Sequence, residues 1–246
     1  CLVEECLACH GKVLDAHSNH AQSCPLARTA RTSRHRGVNE VVCRYAKDAG
    51  FTVDREVQAS ELMAQNVSPD DIAALIRVSR DRVDQRRMDA VLKDTIRGEE
   101  IWVDVTVRHP LCERYLQRER REPGVAIREA VALKHRTYDD LVRAAQQEHE
   151  DQLRSCPPSF YVAAMTTLGQ LGDRFEMLIE TIVHQRELTL ADEGPRMDGK
   201  SPFQVILEFR QDFKTDLIFA MVRGNAQMIN RAGRARSFLR GQWRRD

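Results

Sequence analysis

The stretch from Arg86 to Val107, RRMDAVLKDTIRGEEIWVDVTV, restricts this chain's fold more than any other. From Ile101 the residues alternate, with Ile101, Val103, Val105 and Val107 on one face and Trp102, Asp104 and Thr106 on the other. A period-2 pattern rich in β-branched residues predicts a strand. Met88 to Leu92 is a shorter apolar run broken only by Asp89, and the KDTIRGEE between the two runs carries a glycine in a polar stretch, which predicts a hairpin turn. Two aspartates therefore fall on neighbouring strands. A carboxylate among apolar side chains is costly unless it is paired, protonated or bound to a cation. Two that converge repel each other, and a divalent ion removes the repulsion. The bland alternative is that one or both point to solvent from an exposed sheet face.

The segment Val125 to Leu153 weighs on that choice. Ile127, Val131, Lys134, Tyr138, Leu141 and Ala145 are spaced as the buried stripe of an amphipathic helix. Lys134 thus sits on the apolar face, and lysine is rarely buried unless paired. Either it snorkels to the edge, or it reaches the two aspartates and a phosphate held there through a metal.

The remaining elements follow from pattern. Residues 35–50 read as a helix ending at Gly50, FTVDREV as a first strand, and residues 59–85 as a polar insertion with a short helix at DDIAALIRV. SFYVAAMTTLG from Ser159 reads as a further strand, DRFEMLIETIVHQRELTL as an amphipathic helix and ADEGPRMDGKSP as a linker. Ser201, Pro202 and Gln204 then make a capping box that opens a last helix. Helix, strand, strand, strand, helix, strand, helix suits an α/β (α+β) domain with a mixed sheet flanked by helices. That order does not suit a doubly wound nucleotide-binding fold, and no glycine-rich phosphate loop follows a strand.

The net charge is +1, so the overall balance says nothing about partners and local clusters must be read instead. Arg28, Arg31, Arg34, His35 and Arg36 form one basic cluster, and Arg231, Arg234, Arg236, Arg240, Arg244 and Arg245 form another. Such clusters fit a nucleic-acid backbone. No apolar run approaches a membrane span, and the start at Cys1 without Met suggests a fragment or processed product. Of seven cysteines, Cys1, Cys6, Cys9 and Cys24 crowd the first 24 residues, which argues for a reducing compartment and a local metal site over a disulfide framework. Cys6, Cys9, His20 and Cys24 have the spacing C-x2-C-x10-H-x3-C, which suits tetrahedral Zn2+ in a closed, structural site. Cys1, His10 and His17 are alternative ligands.

With these parts in order, CLAC, DAHSNHAQSC, RHRGVNEVV, RMDAVL, WVDVTV and REAVALKHRTY together resemble the C-terminal part of non-LTR retrotransposon polyproteins. Those polyproteins carry a CCHC zinc knuckle followed by a restriction-enzyme-like PD-(D/E)XK endonuclease whose lysine has moved onto a helix. Arg87, Met88 and Asp89 are followed by 14 residues and then Asp104, Val105 and Thr106, as in the family's basic-Pro-Asp and Asp-Val-Thr pattern, with Met88 in place of the proline. Lys134 and Tyr138 match the family's helix lysine and the tyrosine after it.

The resemblance implies a knuckle over residues 1–34, a restriction-endonuclease-like domain over 35–190 and a helical basic extension over 191–246. It implies that Asp89 and Asp104 hold Mg2+ or Mn2+ against a DNA phosphate, with the Val105 carbonyl as a further ligand, Lys134 stabilising the developing negative charge or orienting the attacking water, and Glu129 as a helper. It implies target DNA nicking for target-primed reverse transcription, an upstream reverse transcriptase and a nuclear location. The rival expectation is a domesticated, inactive copy that binds RNA as a structural subunit of a large ribonucleoprotein, such as a mitochondrial ribosome. A zinc-dependent transcription factor fits less well, because no second finger follows the knuckle.

Overall fold

The computed structural model describes residues 4–6, 12–14, 19–23, 28–67, 86–94, 97–151, 156–193 and 200–242. In chain order these form β1 (Glu4–Cys6), β2 (Lys12–Leu14), α1 (Asn19–Ser23), α2 (Arg28–Asp48), β3 (Thr52–Gln58) and α3 (Ala59–Asn66). There follow β4 (Arg87–Lys93), β5 (Glu100–Arg108), α4 (Glu113–Glu119), α5 (Val125–Asp151), β6 (Ser159–Thr166), α6 (Asp173–Glu193) and α7 (Pro202–Gln242).

Four strands make one mixed sheet in the order β3-β4-β5-β6. The first two neighbour pairs are antiparallel, and β5 and β6 run parallel from Ile101↔Ser159 to Arg108↔Thr166. The connection from β5 to β6 passes through α4 and α5, as a parallel pair requires. The protein is thus a mixed α/β structure with helices on both sheet faces. The turn between β4 and β5 is closed by Asp94 N–H to Glu99 O and Gly98 N–H to Asp94 O, and Gly98 takes a φ of 71°.

One sheet face carries Ala90, Leu92, Ile101, Val103, Val105, Ala163 and Met165 into the larger core, against Val38, Val42 and Ala46 of α2, Phe175, Ile179 and Ile182 of α6, and Phe213, Leu217 and Met221 of α7. The other face packs Met88, Val91 and Trp102 against Leu62 of α3 and Tyr138, Leu141 and Ala145 of α5. The stripe read on Val125–Leu153 is therefore the buried face of α5.

Helix α2 ends in a Schellman motif: Phe51 N–H bonds Ala46 O and Gly50 N–H bonds Lys47 O. Gly50 holds a φ of 101°, and a Cβ there would stand 2.8 Å from Thr189 Cγ2, so only glycine fits. Helix α7 opens with the expected capping box, Gln204 N–H donating to Ser201 Oγ and Ser201 N–H to Gln204 Oε1.

Several expectations change. The helix expected over 35–50 begins at Arg28, so the basic cluster lies on α2 and the expected boundary at residue 34 falls within a helix. The expected C-terminal extension packs on α2 and supplies Phe213, Leu217 and Met221 to the shared core. Helix α3 forms at Ala59–Asn66, where the sequence reads as the start of a polar insertion, because Ala59 and Leu62 bury against the α5 side of the sheet. The segment DDIAALIRV lies outside the described residues. The expected linker begins inside α6, which runs to Glu193.

Candidate functional site

The antiparallel β4–β5 ladder stops at Ala90↔Val103. The next pair in that register would be Asp89 with Asp104. Instead the strands part, and the Val105 N–H donates to Asp89 Oδ2 at 2.6 Å. On β3, the residue that would oppose Asp89 is Glu56, which takes a φ of 54° and leaves the β3–β4 ladder unpaired at that point. The sheet is locally distorted around Asp89.

Helix α2 closes the gap. Asn39 Nδ2 donates to Asp89 O at 3.0 Å. Four residues earlier, one turn back, His35 Nε2 lies 2.8 Å from Val105 O and 3.2 Å from Asp89 Oδ2. Both neighbours accept only, so Nε2 carries the hydrogen in this arrangement. Burial pulls the His35 pKa down, but the hydrogen bond and charge of Asp89, the Val105 carbonyl and the charge of Asp104 outweigh it and leave it raised.

From the other face comes α5. Lys134 Nζ stands 2.8 Å from each carboxylate oxygen of Asp104, with its hydrogen bond directed at Oδ2. Asp104 is 1 % exposed. Its Oδ1 is buried and accepts no hydrogen bond among the described residues. Burial pushes the Asp104 carboxyl up to about 6, against the opposing pull of Lys134 and with a further push from the charge of Asp89. The two acids are thus close enough to feel each other. Tyr138, one turn after Lys134, donates to Arg87 O at 2.8 Å and places its ring 5.8 Å from Lys134 Nζ. Burial, then the charge of Asp104, raise the Tyr138 pKa.

The structure thus brings Asp89, Asp104 and Lys134 together at one point of the sheet. Glu129 is not with them: Arg118 and Arg114 of α4 bind its carboxylate, and the hydrogen bond from Arg118 above all lowers its pKa. Its contacts brace α4 against α5. Arg34 is also placed apart from the surface role expected of it. It is buried, with Nη1 donating to Asn225 Oδ1 of α7 and Gln22 Oε1 of α1. Burial and the nearby charge of Arg31 lower its pKa to about 10. Arg31 and Arg36 are exposed on α2, and Arg31 lies one turn before His35. The side chains of Arg28, Arg231, Arg234, Arg236 and Arg240 lie outside the described residues.

Of the zinc candidates, Cys6 ends β1 and His20 is buried in α1, which packs against β2. Cys9 and Cys24 lie outside the described residues. Asn19 of α1 is tied to the sheet through His109, whose Nε2 and Nδ1 contact Asn19 Oδ1 and Thr167 Oγ1.

His35 and Asn39 were missed as site residues. A signal existed: they lie four apart on α2 beside its apolar positions Val38 and Val42, where a polar side chain calls for a partner.

Among the described residues no group of three or more His, Cys, Asp or Glu side chains is arranged to hold a metal ion. A cation at Asp89 and Asp104 would need backbone or water oxygens as well, which hard cations accept. Asp89 and Asp104 supply oxygen donors of the type a hard divalent ion takes, and Lys134 Nζ stands 2.8 Å from Oδ1 of Asp104. No protein-family model matches the chain, and no curated protein matches it.

Proposed function

We propose that the parted strands around Asp89 and Asp104 form the active centre of a metal-dependent DNA endonuclease with a restriction-enzyme-like fold, of the kind non-LTR retrotransposons use to nick their target. The observation that carries this reading is the Lys134–Asp104 pair. A lysine from the apolar stripe of one helix meets a buried aspartate on a central strand, at the point where a second aspartate interrupts the ladder. Purely structural acids would be paired more simply at the surface.

Asp89 and Asp104 would hold Mg2+ or Mn2+, which when bound polarises a phosphate and lowers the pKa of its water. Lys134 then supplies positive charge where the phosphate becomes more negative, and Asp104 orients the amine. The Val105 N–H fixes one oxygen of Asp89. Tyr138 fixes the strand end through Arg87 O. Arg31 and Arg36 offer exposed charge for the DNA backbone. The knuckle residues Cys6, Cys9, His20 and Cys24 would hold a structural Zn2+.

The test is nicking of supercoiled plasmid with Mg2+ or Mn2+. Asp104→Ala is expected to lower the rate by about a hundredfold or more while binding stays nearly intact. A wild-type protein that binds DNA but cuts with neither ion overturns the reading. One observation then favours the alternative, a domesticated structural nucleic-acid-binding subunit: each aspartate already has a basic neighbour, Lys134 for Asp104 and His35 for Asp89, so the cluster is balanced without an ion.

A further inference from the structure

We infer that the groove between α2 and α7 is a second nucleic-acid site, one that takes a single strand, with a base stacked on Phe219 and a phosphate on Arg36 and Arg223. The inference does not need Asp89 and Asp104 to cut, although Arg36 also serves the nuclease reading given above.

The groove follows from how the two helices meet. At helical spacing, Gly37, Glu40 and Arg44 fall on the opposite side of α2 from His35 and Asn39, whose side chains reach the sheet. On α7, Asp216, Ala220, Arg223 and Gln227 share one face. Small residues let the two backbones approach: a Cβ on Gly37 would stand 3.9 Å from Ala220 Cβ, and one on Gly224 would stand 2.6 Å from Arg34 Cβ. Above that line of contact the longer side chains stand apart and flank a groove of about 510 Å3.

Its charge is not balanced from within. The guanidiniums of Arg36, Arg44 and Arg223 line it together with the carboxylates of Glu40 and Asp216. Both acids are already engaged: Asp216 by Arg44 and the Tyr45 hydroxyl, and Glu40 by Arg55. Arg36 and Arg223 have no ion-pair partner among the described residues. Two such guanidiniums on facing helices suit a phosphate, whose oxygens match the guanidinium fork. Phe219, one turn before Arg223, lines the same groove and is 64 % exposed. An exposed ring beside arginines is a platform for a base. In a duplex the base faces are covered by their neighbours, so the platform selects an unpaired strand. Ser33 Oγ donates to Gln227 Oε1 across the groove, which turns the Gln227 amide nitrogen outward as a donor for a base edge or a sugar.

The experiment uses the full chain and labelled oligomers of about 12 nucleotides, one of uridine, one of thymidine and the thymidine oligomer paired with its complement. Fluorescence anisotropy follows binding without added divalent ions, so that nothing is cut. Phe219→Ala is expected to weaken single-strand binding about tenfold. Arg223→Ala is expected to weaken it about fivefold and to make its salt slope shallower by about 0.7. Both variants should leave duplex binding unchanged, and Phe219→Trp should keep the single-strand affinity. Both side chains are exposed, so the substitutions spare the core. A larger effect on the uridine oligomer names RNA as the strand and a larger effect on the thymidine oligomer names DNA; either supports the inference. Single-strand affinity unchanged in both alanine variants overturns it. A loss in Arg223→Ala alone also overturns it, because the groove then holds an anion and no base. So does a wild-type dimer on gel filtration that Phe219→Ala turns into monomers, which would assign the ring to an interface between copies. Failure of plasmid nicking bears on Asp89 and Asp104 and leaves the groove standing.

Discussion

Strand β5 has two faces that follow different rules. Ile101, Val103 and Val105 point into the larger core, among the apolar side chains of α2, α6 and α7. Trp102, Asp104 and Thr106 point toward α5, where the same few residues include a buried acid, a buried hydroxyl and the tip of a lysine. Both faces are almost fully removed from water. What separates them is the presence of partners: Lys134 meets the carboxylate on the α5 face, whereas the core around Val103 is built of apolar side chains. A buried charge is tolerable only under the first condition.

Moving the charge to the other face breaks the comparison most severely. Val103→Asp places a carboxylate in the larger apolar core, where Val103 is fully buried between Ala90 and Tyr161 of the neighbouring strands. The expected cost is about 4 kcal/mol or more, enough to unfold much of the population. Denaturant unfolding followed by circular dichroism measures it. A midpoint close to wild type would show that the two faces do not differ as argued.

Removing the partner is the next largest change. Lys134→Met keeps the bulk and removes the amine. Asp104 then stays buried without its counter-charge, at a cost of about 2–3 kcal/mol at pH 8, reduced because the carboxyl can protonate. The loss is expected to shrink at pH 5. Combining Lys134→Met with Asp104→Asn should cost less than the two changes added separately. Additive effects would mean that the pair is not coupled.

A third change tests how closely the large-core side is packed. A Cβ on Gly224 of α7 would lie 2.6 Å from Arg34 Cβ and 3.0 Å from its Cα, so the helices must separate. Gly224→Ala in an exposed helix would stabilise by about 1 kcal/mol. Here it is expected to destabilise by about 1–2 kcal/mol, since overpacking outweighs propensity. A rise in melting temperature would show that α2 and α7 can give way.

The sequence pattern carried the strand of Ile101–Val107, the turn before it and the α5 stripe, because each is a short-range periodicity that burial enforces. It also carried Asp89, Asp104 and Lys134, since charged residues at apolar positions stand out against such a pattern. It did not carry His35 or Asn39. Their role depends on α2 crossing the end of β4, a contact between residues 50 apart in sequence for Asn39 and Asp89. Arg34 was misplaced for a related reason. In a run of arginines its charge looks like its neighbours', and only the approach of α1 and α7 selects it for burial between Gln22 and Asn225. Helix α4 was not anticipated at all, because it is seven residues long and buries only Tyr115.

The smallest expected effect concerns Asp104 alone and has the opposite sign. Burial, opposed by Lys134 and reinforced by Asp89, holds its folded pKa at about 6, above its ordinary value of 3.8. The folded state therefore binds more protons than the unfolded state between those two values. Asp104's contribution to stability is fully present below pH 4 and is lost as pH rises through 6. At neutral pH the charged form is a burden on the metal-free protein. Asp104→Asn keeps the shape, keeps an oxygen acceptor for Lys134 and removes the repulsion with Asp89. It is expected to stabilise the metal-free protein by about 1 kcal/mol at pH 7.5 and by nearly nothing at pH 4.5, where the wild-type carboxyl is mostly protonated. Thermal melts of both proteins across that range, in the presence of a chelator, read the difference directly. The same variant is expected to lose cleavage, so that a gain in stability and a loss of function arise from one atom's replacement. A variant less stable than wild type at pH 7.5 would show that the ionised Asp104–Lys134 pair holds the α5 face together, and the contrast between the two faces of β5 would then rest on attraction and not on tolerated cost.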